Sequence, residues 1–197
     1  MHTPPFNNIL PFDGETYYLG KIIDGNTAAR YFSSLLHTIH WQQDVVVMFG
    51  KTITTKREVA WYGCERLTYR YSGKTKTALL WTTELLELKS IVEKISGEDY
   101  NSCLLNLYHT GGEGMGWHSD DEKDLKKNGT IASLSLGAER KFSFKHKQLN
   151  EKVTLLLQNG SLLIMKGATQ QHWLHQLPPS KKIMEPRINL TFRQIIQ

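Results

Sequence analysis

The sequence predicts a mostly β protein with flanking helices, organised as a single domain over residues 1–197. Three features carry that reading. Two segments in the first half have the apolar spacing of amphipathic helices. From about Asn101 the chain breaks into some seven short β-prone runs. Turn signals separate those runs at Gly111-Gly112, Asn128-Gly129, Gly137, Asn159-Gly160 and Pro178-Pro179. Helices followed by many short strands point to helices packed on a sandwich or jelly roll.

Along the chain, residues 1–12 read as a loose arm rich in Pro and Asn, and Tyr17–Ile23 as a short strand. Thr27–Trp41 reads as a helix capped by Asn26, with Tyr31, Leu35, Leu36 and Ile39 on one face. Residues 43–73 read as a β-hairpin system: Val45–Phe49 is a β-prone run halted by Gly50, and Leu67–Gly73 alternates with period two. Thr82–Ile95 is the second amphipathic helix, with Leu85, Leu88, Val92 and Ile95 at helical spacing and Gly97 past its end. The strands that follow are Ser102–Tyr108, Thr130–Leu136, Arg140–Lys145, Val153–Leu157, Ser161–Met165, a short one near His172–Leu177, and Arg187–Ile195. Asn159-Gly160, between Leu155-Leu156-Leu157 and Leu162-Leu163-Ile164, is a two-residue hairpin signal.

Composition removes several classes. Cys64 and Cys103 are the only cysteines, too few for a disulfide framework or a Cys-rich zinc module, and they fit a reducing compartment. The strongest apolar runs fall far short of the roughly 20 residues of a membrane span, and Met1-His2-Thr3-Pro4-Pro5 has no secretory character. The expected location is therefore the cytoplasm, or the nucleus in a eukaryote, without a membrane partner. A net charge of +5 permits a polyanionic partner without identifying one.

Among eight histidines, His118-Ser119-Asp120 stands apart. In an extended segment residues i and i+2 point to one side, so an imidazole and a carboxylate would converge. A third ligand from a distant strand would complete a two-His, one-carboxylate set with open metal positions, the arrangement of non-haem Fe(II) oxygenases. His172 and His175 both qualify, and on one strand their odd spacing allows only one to face the metal. On the last strand Arg187, Asn189, Thr191 and Arg193 share one face, with Ile188, Leu190 and Phe192 on the other. That polar face is either a solvated basic surface or an anion site, since Arg pairs bidentately with carboxylate or phosphate.

Taken together, Asn106-Leu107-Tyr108, His118-Ser119-Asp120, His172-Trp173-Leu174-His175 and Arg187-x-Asn189-x-Thr191-x-Arg193 resemble the AlkB family of Fe(II)/2-oxoglutarate-dependent nucleic-acid dioxygenases. The resemblance runs from about Met48 to Phe192 and is most specific at 118–122, 161–163, 172–173 and 186–193. It is nearest to the duplex-DNA repair branch, whose finger hairpin has its counterpart in Met48-Phe49-Gly50-Lys51. Met48 and Thr52-Ile53-Thr54-Thr55 depart from that branch's pattern.

The resemblance implies a double-stranded β-helix (jelly roll) core over 101–197. It implies an N-terminal part, 1–100, with helices and a nucleotide-recognition lid whose finger hairpin is 43–73. It assigns His118, Asp120 and His175 to iron, leaving His172 as a neighbour. Asn106, Tyr108, Arg187, Asn189, Thr191 and Arg193 go to the 2-oxoglutarate pocket. Asp121 and Glu122 fall at the target base, as do Tyr69, Arg70 and Tyr71 of the lid, and Phe49, Gly50 and Lys51 form the finger. Tyr69 and Tyr71 share a strand face suited to stacking a flipped base, or to ordinary cross-strand packing. Lys51, Arg57, Arg70, Lys74 and Lys76 are candidates for phosphate contacts.

The function so implied is oxidative demethylation of N1-methyladenine and N3-methylcytosine in double- or single-stranded DNA, and in RNA. It consumes dioxygen and 2-oxoglutarate and releases formaldehyde and succinate. The protein is expected to act as a monomer in repair of DNA damage. Two alternatives compete: the same oxygenase chemistry on a protein or small molecule, and a non-catalytic nucleic-acid-binding module. The tyrosines and the Phe-Gly-Lys finger argue against the first, and the Arg187–Arg193 face against the second.

Overall fold

The computed structural model describes residues 7–48, 51–64, 67–71 and 74–196, with backbone alone at 46–48, 51–53, 69–71 and 74–76. The elements in chain order are β1 (Glu15–Lys21), α1 (Gly25–Thr38), β2 (Gln42–Met48), β3 (Lys51–Gly63), β4 (Thr68–Tyr71), β5 (Lys74–Thr77), β6 (Leu79–Leu80), α2 (Thr83–Ser96), β7 (Ser102–Tyr108), β8 (Met115–His118), β9 (Ile131–Gly137), β10 (Arg140–His146), β11 (Lys152–Leu157), β12 (Ser161–Lys166), α3 (Thr169–His172), β13 (Trp173–Leu177) and β14 (Arg187–Arg193).

Most strands fall into two sheets. The main sheet runs β1-β12-β9-β14-β7-β3-β2, with β6 beside β3. The smaller one runs β11-β10-β13-β8, and β4-β5 is a separate hairpin. This is the two-sheet sandwich expected of a jelly roll, with the helices outside it. The main sheet crosses the expected boundary near residue 100, because β1 pairs with β12 and β3 with β7.

Period-two alternation sorts the main sheet's side chains. Leu105 and Leu107 of β7, Leu134 and Leu136 of β9, and Ile188, Leu190 and Phe192 of β14 face Leu35 of α1 and Leu85, Leu88 and Val92 of α2 in one apolar layer. Truncating such a buried Leu to Ala costs about 2–5 kcal/mol. Between the sheets Leu163 and Met165 meet Phe144, Leu157 and Trp173. The polar positions of β14 open onto the space left between the sheets.

Several expectations are corrected. The cap of α1 is Asp24, whose carboxylate accepts from the backbone N–H of Asn26 and Thr27, and the helix stops at Thr38, where Ile39 turns extended. Ile95 lies on the apolar stripe of α2 yet is 39% exposed. The arm is not loose over 8–12: Leu10 is buried against the second apolar cluster, and the Asn8 side chain accepts from Leu10 and Thr16 N–H. Asn159-Gly160 does not close a hairpin. β11 pairs with β10 and β12 with β1 and β9, so the turn carries the chain from one sheet to the other. Its polar groups bind elsewhere. Gly160 N–H donates to Ser135 O, Gly160 O accepts from Ile22 and Ile23, and Asn159 Oδ1 accepts from Gly137 N–H. Gly160 has φ +76°, and a Cβ there would lie 2.5 Å from Ile23 O, so only glycine fits this corner.

β3 falls within the hairpin system expected over 43–73, whereas β5, β6, β8 and α3 were not named from the sequence. β2 and β3 form a long hairpin in which Met48 pairs with Lys51. Phe49 and Gly50 lie outside the described residues, as do the side chains of Lys51, Tyr69, Arg70, Tyr71, Lys74 and Lys76.

Candidate active site

An open cavity of about 640 Å³ lies between the two sheets. His118 ends β8 and His175 sits on the neighbouring β13, directly opposite it in the ladder. Asp120 lies just past the end of β8. One donor atom from each of the three falls within 4.8 Å of the others. The rings of His118 and His175 meet edge-on at 4.2 Å. His172 belongs to α3 and is not in this group.

The surroundings suit a cation held by neutral imidazoles. His118 Nδ1–H donates to Gly116 O at 2.9 Å, which leaves the Nε2 lone pair facing Asp120. His175 is 4% exposed, flanked by Phe142 and Phe144, and its Nδ1 has no hydrogen-bond partner. Burial, reinforced by the nearby His118, pushes its pKa down to about 3, so the ring is neutral near pH 7. Burial works against ionising Asp120, but the Arg193 guanidinium beside it outweighs that and holds the carboxyl below the usual range. Arg193 reaches Asp120 Oδ2 at 2.7 Å. A set of two imidazoles and one carboxylate with this reach fits a divalent metal such as Fe(II).

On the opposite wall Arg187 is 2% exposed and pairs with no acid among the described residues. Its Nη2 donates to Ser135 Oγ and Asn189 Oδ1, while Nε has no partner. Burial, with Arg140 nearby, pushes its pKa down to about 10, so it remains cationic at neutral pH. A buried cation without a counter-ion calls for an anionic ligand. Ser133 donates to Asn189 Oδ1, and Asn189 Nδ2 donates to Thr191. Asn106 stands across the ladder from Asn189. The Tyr108 ring lies under both Arg187, at 5.6 Å, and Arg140, at 6.0 Å. Arg140 is almost fully buried and donates to four backbone carbonyls, those of Thr110, Gly111, Glu113 and Pro178, tying the loops before β8 and after β13 together.

Asp121 and Glu122 also line the cavity, and Glu122 Oε2 is buried without a hydrogen-bond partner. Arg57, a candidate for phosphate, is corrected: it is 5% exposed, ion-paired with Asp44, and donates to Met115 Sδ inside the cavity. The sequence reading missed Asp44, Met115, Ser133, Ser135 and Arg140. The two serines did carry a signal, being the polar positions that alternate with Leu134 and Leu136 on β9.

A second group, Asp13, His146 and His172, lies away from this cavity. His146 Nδ1 accepts from the backbone N–H of Gln148 and Leu149, which keeps its proton on Nε2, 3.4 Å from Asp13. Nε2 therefore has no lone pair for a metal.

Residues 15–193 match the family described as the 2OG-Fe(II) oxygenase superfamily. The human DNA oxidative demethylase ALKBH2 is 41% identical over 159 residues, covering 77% of this chain and 61% of that protein. The Arabidopsis thaliana DNA oxidative demethylase ALKBH2 is 31% identical over 215 residues, 95% of this chain and 68% of that one. The Bos taurus alpha-ketoglutarate-dependent dioxygenase alkB homolog 3 is 39% identical over 183 residues, covering 88% and 63%. The chain spans 66%, 61% and 57% of the mouse, human and bovine ALKBH2 proteins. The solved structure of OsALKBH1 superposes with a TM-score of 0.60 over 91% of this chain and 97% of that one at 17% identity, a likeness of fold.

Proposed function

The chain belongs to the 2OG-Fe(II) oxygenase superfamily and, within it, to the AlkB family, and from that premise we propose that it is a 2-oxoglutarate-dependent demethylase of N-alkylated bases in DNA. The observation that carries the reading is the buried Arg187, without a counter-ion among the described residues, facing the same cavity as His118, Asp120 and His175. A co-substrate carboxylate supplies what that guanidinium lacks. His118, Asp120 and His175 hold Fe(II). When bound, the iron with 2-oxoglutarate and dioxygen supplies the oxidation: one oxygen atom leaves in succinate as carbon dioxide is lost, and the other enters a C–H bond of the N-methyl group. The resulting N-hydroxymethyl base breaks its C–N bond to give formaldehyde and the free base.

The protein's own groups position these partners. Arg187 takes the distal carboxylate, and Asn189, Thr191, Arg193, Asn106 and Tyr108 line the rest of that pocket. Arg193 neutralises the Asp120 oxygen turned away from the imidazoles. The unpaired Glu122 oxygen, with Asp121 beside it, favours bases that carry positive charge, as N1-methyladenine and N3-methylcytosine do. Tyr69 and Tyr71, flanking Arg70, stack the flipped base from the lid. Phe49 fills the gap in the duplex, with Gly50 and Lys51 close to the backbone. RNA is a further substrate, the whole chain acts as one catalytic domain and a monomer, and its place of work is the cytoplasm or nucleus. Among the described residues no helix is long and apolar enough to cross a membrane.

Formaldehyde release is measured on oligonucleotides bearing N1-methyladenine or N3-methylcytosine, with Fe(II) and 2-oxoglutarate each present or omitted. Release that needs both supports the reading. Succinate formation without base demethylation overturns the substrate, and no turnover of either kind overturns the enzyme.

A further inference from the structure

Asp120 is held from outside the strand ladder. The β8 ladder ends at His118, so strand pairing fixes His118 against His175 but does not reach Asp120. Something else must set its backbone. The Asp120 N–H donates to the side-chain Oε1 of Gln170 at 2.9 Å, and the Gln170 amide is oriented by its own Nε2 donating to Met165 Sδ at 3.3 Å. Gln170 lies in α3, which leads without a break into β13 and His175. Lys147 adds a second tie, donating to the Gln170 carbonyl at 2.8 Å and to Ser119 Oγ at 3.1 Å.

We infer that Gln170 is a positioning residue for the metal site, with Lys147 in support. The inference rests on the reading of His118, Asp120 and His175 as a divalent-metal site. Two tethers define the Asp120 carboxylate. Gln170 fixes the backbone end, and Arg193 fixes Oδ2. With both in place the remaining oxygen, Oδ1, is the one turned toward His118 Nε2, 3.8 Å away. Without the backbone tether, the turn at 119–121 is held only by the Lys147 contacts to Ser119 and Asp121, and the carboxylate can swing about Arg193 and spread the three donors. Groups that orient metal ligands in this way are typically worth 10–100-fold in metal affinity. α3 itself is anchored at Thr169, whose Oγ accepts from Glu15 N–H and donates to Lys166 O, which ties the start of the helix to β1 and β12.

The test compares the metal-free full chain with Gln170→Leu, which removes the acceptor at similar volume, and Gln170→Glu, which keeps an acceptor. Mn(II) binding is followed by loss of the free-ion EPR signal, and hydrogen exchange is followed in a peptide spanning 118–122. Gln170→Leu is expected to raise the Mn(II) Kd about tenfold or more and to speed exchange in that peptide, with an unchanged melting temperature. Gln170→Glu is expected to restore both to near wild type. An unchanged Kd in Gln170→Leu, or equal losses in the two variants, overturns the inference. If Gln170→Leu does not fold, Lys147→Met decides: a weakened Kd at unchanged melting temperature supports the role, and an unchanged Kd overturns it. Wild-type protein that binds no Mn(II) would instead overturn the metal site itself.

Discussion

Replacing Arg187 by Met tests the co-substrate pocket at its most exposed physical commitment. The guanidinium is 2% accessible and has hydrogen-bond partners only in the neutral Ser135 and Asn189 side chains among its described contacts. Burial pushes its pKa down to about 10, well below the ordinary range of a guanidinium. At about 1.36 kcal/mol per pKa unit, the charge is disfavoured by roughly 3 kcal/mol relative to water. The sign follows directly. A depressed cationic pKa means the folded state binds the proton less well, so below pH 10 this charge costs stability, and a bound carboxylate recovers that cost. Truncating one partner of a buried charge pair costs about 2–5 kcal/mol, so Arg187→Met should weaken 2-oxoglutarate binding by about 30-fold or more. The ligand-free protein should melt no lower than wild type, because an uncompensated charge has gone. The assay is anaerobic calorimetric titration of 2-oxoglutarate into Mn(II)-loaded protein, beside thermal melting without ligand. A Kd within threefold of wild type would refute the reasoning and return Arg187 to a structural role.

Three further outcomes are expected. His175→Ala and Asp120→Ala should abolish iron-dependent turnover with the fold retained by circular dichroism, while His172→Ala keeps most activity; the opposite ranking of the two histidines would show the ligand set to be wrong. Phe49→Ala should lower repair of a methylated base in duplex DNA about tenfold, as about 1.4 kcal/mol of lost stacking implies, and leave single-strand repair nearly unchanged; equal losses on both would sink the wedge. Leu10→Ala should destabilise the fold by about 2–4 kcal/mol, read as a lower urea midpoint, and an unshifted midpoint would mean that the arm is dispensable.

The sequence was most informative where one residue's periodicity determined its environment. The alternation on β14 separated Ile188, Leu190 and Phe192 from the polar face before any contact was known, and helical spacing located Leu85, Leu88 and Val92. It was least informative where a local signal met a distant partner. Asn159-Gly160 has the chemistry of a hairpin turn, but its N–H and C=O groups are taken by Ser135, Ile22 and Ile23. Arg57 looks like a phosphate ligand until Asp44, thirteen residues earlier, is brought across the β2–β3 hairpin to pair with it. The choice between His172 and His175 likewise depended on where α3 gives way to β13. Leu10 was hidden because Trp173, on which its cluster is built, lies at the far end of the chain.

Arg140 has a consequence for how ionic strength acts on this protein. It ties its loops through uncharged carbonyls while almost fully out of water, so added salt has little to screen there. Contacts between surface lysines and a polyanion are of the opposite kind and weaken steeply as counterions compete. On the proposed function, salt would therefore act in two regimes, leaving the 2-oxoglutarate pocket nearly unaffected and weakening the contacts to the nucleic acid. Titrating sodium chloride should lower oligonucleotide turnover through KM while the 2-oxoglutarate requirement stays nearly constant, and parallel losses in both would mean that the loops Arg140 holds are not so insulated.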